Sequence, residues 1–347
     1  MSDIHIRRDG AVGRITLNRP DALNALTHQM CLAIDAALVG WADDPDIRML
    51  LIEGAGRSFC AGGDITEMYR AGLASDFTYG QRFWRDEYRM KARLFEFPKP
   101  VASFLQGFTM GGGVGVGCHA SHRIVAESSK IAMPEVGIGL VPDVGGSLLL
   151  AQAPGRCGEY LGLTADRMGP ADAVHAGFAD YVVPHDRWDA LKAALVDTGD
   201  WTAVDAAATD PGASNLAAMQ PAIDTHFGGE TFGDIMRSLE TDDGDFSRQT
   251  REKLARIAPL SLFCATQLIH RVRVRPQIRF ALEQEFRITA RSMEHGDFIE
   301  GIRAKIIDRD DMPVWRHASW RDVKMAEVAA MMQPLRDNGL TFEGGQA

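Results

Sequence analysis

Twice in this chain of 347 residues, a short apolar run ends in a glycine-rich turn that opens a helix. "IRMLLIEG" (47–54) leads into "GRSFCAGGDITEMY", and "PVASFLQG" (100–107) leads into "FTMGGGVGVG" (108–117). A strand with no polar alternation is one buried on both faces, which is the habit of parallel sheets covered by helices. The repeated strand–turn–helix order therefore predicts a layered α/β core.

The neighbouring sequence agrees with that core. "GRITL" (13–17) reads as a short strand, and "HRIVAE", "SKIAMPE" and "FADYVVP" as three more. "THQMCLAIDAALVGW" carries Met30, Ile34, Leu38 and Trp41 at helical spacing behind Thr27, a suitable N-cap. "PADAVHAG" is a short helix with Pro170 at its start and Gly177 at its end. We expect this core, with the site residues, over 1–196. The Ala-, Asp-, Thr- and Gly-rich stretch 197–220 then reads as a loop or linker, and 221–347 as a helical region. The basic cluster "HRVRVRPQIR" (270–279) reads as a solvated helix end rather than a phosphate site.

Composition and missing motifs remove several classes. A hydrophobic content of 46% with 24% charged residues is that of a globular protein. No apolar run approaches a membrane span, and the N-terminal stretch lacks a signal core, so the expected location is cytoplasmic. A formal charge of -10 argues against nucleic acid as a partner. The five cysteines have no C-x-x-C spacing, which speaks against zinc or a disulfide framework. Cys60 and Cys118 lie near the glycine turns, but neither has a histidine at a recognisable motif spacing. There is no P-loop, nucleophile elbow or H-E-x-x-H. Gly115 to Ala120 matches G-x-G-x-x-A by coincidence, because no acid closes a second strand about twenty residues on.

What the turns offer is backbone. Helix N-termini expose unpaired N–H groups with partial positive charge, and glycine lets a ligand atom approach them closely. Two such turns can aim two donors at one oxygen, which is an oxyanion hole. The carboxylates follow in "MPEVGIGLVPDVGG" (133–146), where Glu135 and Asp143 flank an apolar stretch within a Gly/Pro-rich loop. That setting suggests that both line a pocket, although Asp143 could equally cap the helix after it.

The segments "SFCAGGDI", "TMGGGVG", "AMPEVGIGLVPDVGG" and "DFIEGIRAKIIDRDDMPVW" resemble the crotonase (enoyl-CoA hydratase/isomerase) superfamily over residues 4–320. Within it they are most similar to the 3-hydroxyisobutyryl-CoA hydrolase branch. The resemblance implies a crotonase-like (ClpP/crotonase) spiral of ββα units with a helical C-terminal region. It also implies an acyl-CoA substrate, with coenzyme A as part of that substrate and no separate cofactor or metal. By motif, the amides of Ala61 and Gly112 would hold the thioester oxygen. Gly62, Gly63, Asp64, Ile65 and Gly111 would lie against the substrate. Glu135 and Asp143 would be catalytic, and Glu87, in "FWRDEYRM", would contribute to substrate binding. Hydratases of the family carry a second glutamate where this chain has Gly115. The chain is thus expected to be a thioester hydrolase, with hydratase/isomerase, another acyl-CoA hydrolase and a silent acyl-CoA-binding protein as alternatives. A homo-oligomer is compatible with this reading.

Overall fold

The computed structural model describes residues 2–342. Compactness divides the chain into two units, each assembled from separated stretches. The first takes the chain up to Asp64, then Asp86–Ala132 and Arg167–Ala217. The second takes Ile65–Arg85, Met133–Asp166 and the chain from Ala218. This is not the linear order of core, linker and helical end expected from composition. Residues 197–220 also hold structure, namely the helix Thr202–Ala207 and the start of Asn215–His226. Alanine is the strongest helix former, and in "TAVDAA" it outweighs the loop-favouring Asp, Thr and Gly around it.

The first unit carries the sheets. Its strands are β1 (Ile4–Asp9), β2 (Val12–Leu17), β3 (Met49–Gly54), β4 (Val101–Phe104), β5 (Phe108–Met110), β6 (His122–Val125), β7 (Lys130–Ala132) and β8 (Tyr181–Val182). Six form one sheet in the order β1-β2-β3-β4-β6-β8. Only the β1–β2 pair is antiparallel; β2 to β8 run parallel. The central strands β3 and β4 are buried along almost their whole length, as unalternating apolar sequence requires. One sheet face, including Met49, Leu51, Ala102, Phe104 and Ile124, packs with Trp188, Leu191, Leu195 and Val204. β7 does not join this sheet. It pairs with β5, the short strand that precedes the second glycine helix.

The helix His28–Ala42 starts where expected, with the Thr27 hydroxyl accepting from the Met30 N–H at 3.2 Å. Met30, Ile34 and Leu38 are its buried stripe.

The second unit is helical. Its long helices are Pro259–Val274 and Ile278–His295, with Phe232–Glu240, Asp245–Leu254 and Phe298–Ile302 among the shorter ones. Thr231 and Asp234 form a capping box at the first of these shorter helices, and Pro259 occupies the first turn of its own helix, where no intrahelical N–H is needed. Pro259–Val274 packs on Gly146–Gln152 and Cys157–Thr164. Gly158 makes the contact between the latter two possible, since a Cβ there would stand 1.8 Å from the Leu150 carbonyl oxygen.

Candidate active site

In the first unit the two glycine turns are bonded to each other. The Cys60 N–H donates to the Phe108 carbonyl at 3.0 Å, and the Met110 N–H donates to the Cys60 carbonyl at 2.9 Å. This is one step of parallel pairing, between Cys60 and Thr109. Beyond it there is little room for a side chain. A Cβ at Gly113 would stand 2.2 Å from the Cys60 carbonyl oxygen. A Cβ at Gly112 would stand 3.1 Å from the Gly63 nitrogen and 3.2 Å from the Gly62 carbonyl carbon. Gly111 enters the helix Gly112–Gly117 at φ 49°, a left-handed value that disfavours a side chain.

The donor expected from Ala61 is corrected by this geometry. The Ala61 N–H already donates to the Leu23 carbonyl at 3.0 Å, so it is committed to the fold. Leu26 donates to the Gly62 carbonyl at 2.9 Å and accepts from the Asp64 N–H at 2.8 Å. Successive N–H groups of extended chain point to opposite sides. The Gly63 N–H therefore turns away from Leu26, onto the side where Gly112 lies, and meets no acceptor among the described residues. Gly112 is the first residue of its helix, and its N–H has no intrahelical partner. Among the described residues, Gly63 and Gly112 thus present neighbouring N–H groups that no backbone acceptor takes. The sequence motif located the turn but not which of its peptides faces inward.

Glu87 lies beside this pair on the helix Phe77–Phe95, in the part belonging to the first unit. It is 3% exposed, and its Oε1 sits 3.2 Å from the position of a Gly112 Cβ. Burial pushes its carboxyl pKa up, while Lys91 and His28 pull it back. The carboxylate of Asp64, expected at the substrate, pairs with Arg19 at 3.0 Å. Burial pushes the Cys60 thiol up to about 11 and the Cys118 thiol up to about 12, so neither supplies a thiolate near neutrality.

The second unit holds the remaining expected residues. Ile65 is the N-cap residue of the helix Thr66–Leu73. Glu135 opens a 3-10 turn, Glu135–Ile138, that ends at Gly139 with φ 74°. This loop is clamped to the helix Phe298–Ile302. A Cβ at Gly139 would stand 2.5 Å from the Asp297 carbonyl carbon, and one at Gly301 would stand 2.1 Å from the Ile138 oxygen. Glu135 and Asp143 are both 4% exposed, so each carboxyl group is held inside the fold.

Asp143 is not the helix cap. Its carbonyl accepts from the Gly146 N–H at 2.7 Å, and the cap position of the helix Gly146–Gln152 is Gly145. The capping carboxylate comes from far along the chain. Glu285 accepts from the Gly145 N–H at 2.8 Å, the Ser147 N–H at 3.2 Å and the Ser147 hydroxyl. Complete burial nevertheless pushes its pKa up to about 7. It secures a strained corner, since Val144 adopts φ 55°, an outlier for a β-branched residue. Sequence reading missed Glu285. The signal was an acid at 285 on the same helical stripe as Leu282, Phe286 and Thr289.

The basic cluster is divided: Arg271 and Arg275 are exposed, as at a solvated helix end, while two of its members reach a buried acid. Arg273 bonds the buried Glu159 at 2.7 Å, and His270 lies 3.3 Å from it. No helix among the described residues is long and apolar enough to cross a membrane.

A family model described as enoyl-CoA hydratase/isomerase matches residues 12–332. The chain belongs to this family. It is 36% identical to the mitochondrial 3-hydroxyisobutyryl-CoA hydrolase of Danio rerio, covering 98% of this chain and 91% of the relative. It is 32% identical to a probable 3-hydroxyisobutyryl-CoA hydrolase of Arabidopsis thaliana, covering 97% and 93%. Among solved structures, an enoyl-CoA hydratase from Rhodobacter sphaeroides 2.4.1 matches with TM-score 0.92 and 50% identity, covering 98% of this chain and all of that one. A carnitinyl-CoA dehydratase from Mycobacterium thermoresistibile matches with TM-score 0.94 and 39% identity, covering 99% of this chain and all of that one.

Proposed function

We propose that this chain hydrolyses a short 3-hydroxyacyl-CoA, with 3-hydroxyisobutyryl-CoA as the substrate, giving 3-hydroxyisobutyrate and CoA. The names of the zebrafish and Arabidopsis relatives support this choice. The observation that carries it is Gly115. It lies in the buried helix Gly112–Gly117, where a hydratase of this family presents a carboxylate, and here there is none.

The thioester oxygen accepts from the Gly63 and Gly112 N–H groups, which stabilise the charge that develops on it. Glu87 accepts a hydrogen bond from the substrate hydroxyl. Glu135 either attacks the thioester carbon or takes a proton from water that does, and Asp143 orients that water. A positioned acid or base is worth about 10²–10⁴-fold, so a chain lacking one of two such groups is a poor hydratase.

The names of the Rhodobacter and Mycobacterium proteins favour a second reading, hydration or dehydration of a CoA ester. One experiment separates the two. Free thiol released from 3-hydroxyisobutyryl-CoA is compared with loss of enone absorbance from crotonyl-CoA. Thiol release with negligible hydration is expected, and the reverse would overturn the proposal. Activity with neither would leave an acyl-CoA-binding protein or a hydrolase of another acyl chain, which a small acyl-CoA panel distinguishes. The cytoplasmic location is an expectation from the sequence, and the zebrafish relative is named mitochondrial.

A further inference from the structure

Lys91 is fully buried, with no accessible surface on its side chain. Burying an ammonium is costly unless it is both paired and hydrogen-bonded. Both partners of Lys91 belong to the candidate site. Its Nζ donates to the Gly112 carbonyl at 2.8 Å and lies 3.5 Å from Glu87 Oε1, one helical turn earlier. At 3.5 Å the pair is an ion pair rather than a good hydrogen bond. Glu87 Oε1 is left buried with no hydrogen-bond partner among the described residues. The lysine thus supplies a compensating charge while leaving an acceptor oxygen available beside Gly112.

We propose that Lys91 is a positioning residue for the hydrolysis: its ammonium keeps Glu87 a carboxylate able to receive the substrate hydroxyl, and anchors Gly112, whose N–H receives the thioester oxygen. This rests on the functional reading above and adds to it a residue that does not touch substrate. One cation then serves two jobs, at Glu87 and at Gly112. It makes discrimination for a 3-hydroxy substituent depend on a group buried behind the site.

The other groups facing Glu87 are few. The helix His28–Ala42 brings His28 and Cys31, and the first glycine turn brings Cys60. On Glu87's own helix, Asp86 is paired with His28 at 2.8 Å. The Gly112–Gly117 helix brings no ionisable side chain. Burial pushes both thiols upward, so neither carries charge in the acid range.

The test uses Lys91→Met and Lys91→Gln in the full chain. An opposite charge within a few ångströms lowers a carboxyl pKa by about 1–3. The acid limb of kcat/KM should therefore move to higher pH by about one unit or more in both variants. At fixed pH, preference for 3-hydroxyisobutyryl-CoA over isobutyryl-CoA should fall about tenfold, as expected when a hydrogen bond to a charged acceptor is lost. A merely structural role would lower stability without moving either quantity. An unmoved limb with selectivity within about twofold of wild type overturns the inference. The limb shift is expected to persist in a His28→Gln background, and its disappearance there would assign the limb to the imidazole and overturn it. If neither single variant folds, Lys91→Met is added to Glu87→Gln, where no buried charge is left unpaired. Selectivity changing less than about threefold on that addition supports action through Glu87, and a larger change refutes it. Wild-type protein that releases no thiol would instead refute the functional reading itself.

Discussion

Replacing Gly112 by alanine places one methyl group where the two glycine turns meet. Its carbon would stand 3.1 Å from the Gly63 nitrogen and 3.2 Å from both the Gly62 carbonyl carbon and Glu87 Oε1. These separations ask neighbours to give by a few tenths of an ångström, so the fold should accommodate them. At a helix start, alanine also gains up to about 1 kcal/mol over glycine in intrinsic preference. The methyl nevertheless crowds the Gly63 N–H, where the proposed mechanism seats the thioester oxygen. Loss of one oxyanion donor costs about 10²–10³ in kcat, or roughly 2.7–4 kcal/mol of transition-state stabilisation. Gly112→Ala should therefore show that loss in thiol release with a melting temperature close to wild type. The loss should fall on kcat more than on KM, because the donors act most strongly on the charge that develops during reaction. A folded variant with kcat within about threefold of wild type would refute the assignment of Gly63 and Gly112.

Four further outcomes are expected. Glu285→Gln should become more stable relative to wild type as pH rises. The carboxyl of Glu285 is raised from 4.5 to about 7, so its contribution is intact below about 4.5 and is lost as pH climbs through about 7. The difference amounts to about 3 kcal/mol, or roughly 4 °C in melting temperature for a chain of this length, and a difference independent of pH between 5 and 8 would contradict it. Glu135→Gln should lose at least about 10²-fold in turnover, with full activity excluding it as nucleophile and as base. A single turnover in ¹⁸O-water that labels the Glu135 peptide would establish the anhydride route, as would be expected where no second acid stands at 115. Gly139→Ala should destabilise the Glu135 loop, because its Cβ would meet the Asp297 carbonyl carbon at 2.5 Å at a φ of 74°; a melting temperature equal to wild type would show that the clamp is loose.

The parts of the fold legible in the sequence were those set by local patterning. Unalternating apolar runs gave β3 and β4, and the Thr27 cap with its periodic stripe gave the helix His28–Ala42. What stayed hidden was long-range. β7 reads as an ordinary strand, yet its partner β5 is a three-residue strand sunk in glycine sequence that has no strand pattern of its own. The division into two units reuses stretches far apart in the chain, which composition along a line does not reveal. In the first unit, motif spacing located both glycine turns. It could not say which amide of "CAGGD" faces Gly112, because that depends on Leu23 taking the Ala61 N–H and Leu26 the Asp64 N–H. Glu285 and Lys91 were invisible for a related reason. Each is a charged side chain on a helix, and only tertiary contact separates such a residue from a solvated one.

The sheet face formed by Met49, Leu51, Ala102 and Phe104 is covered by side chains that arrive with Trp188, Leu191, Leu195 and Val204. During synthesis at about 5–20 residues per second, the strand ending at Gly54 leaves the ribosome roughly 8–30 s before Val204 does. Once Phe104 has followed, about 100 residues, or roughly 5–20 s, still separate it from Val204, and for that interval the apolar face lacks the cover it has in the folded unit. The first unit therefore cannot finish folding while it is being made, however stable it is once complete. Nascent chains truncated before Trp188 should engage holdase chaperones and aggregate, whereas a slower ribosome, often helpful to domains built from consecutive sequence, would prolong the exposure here.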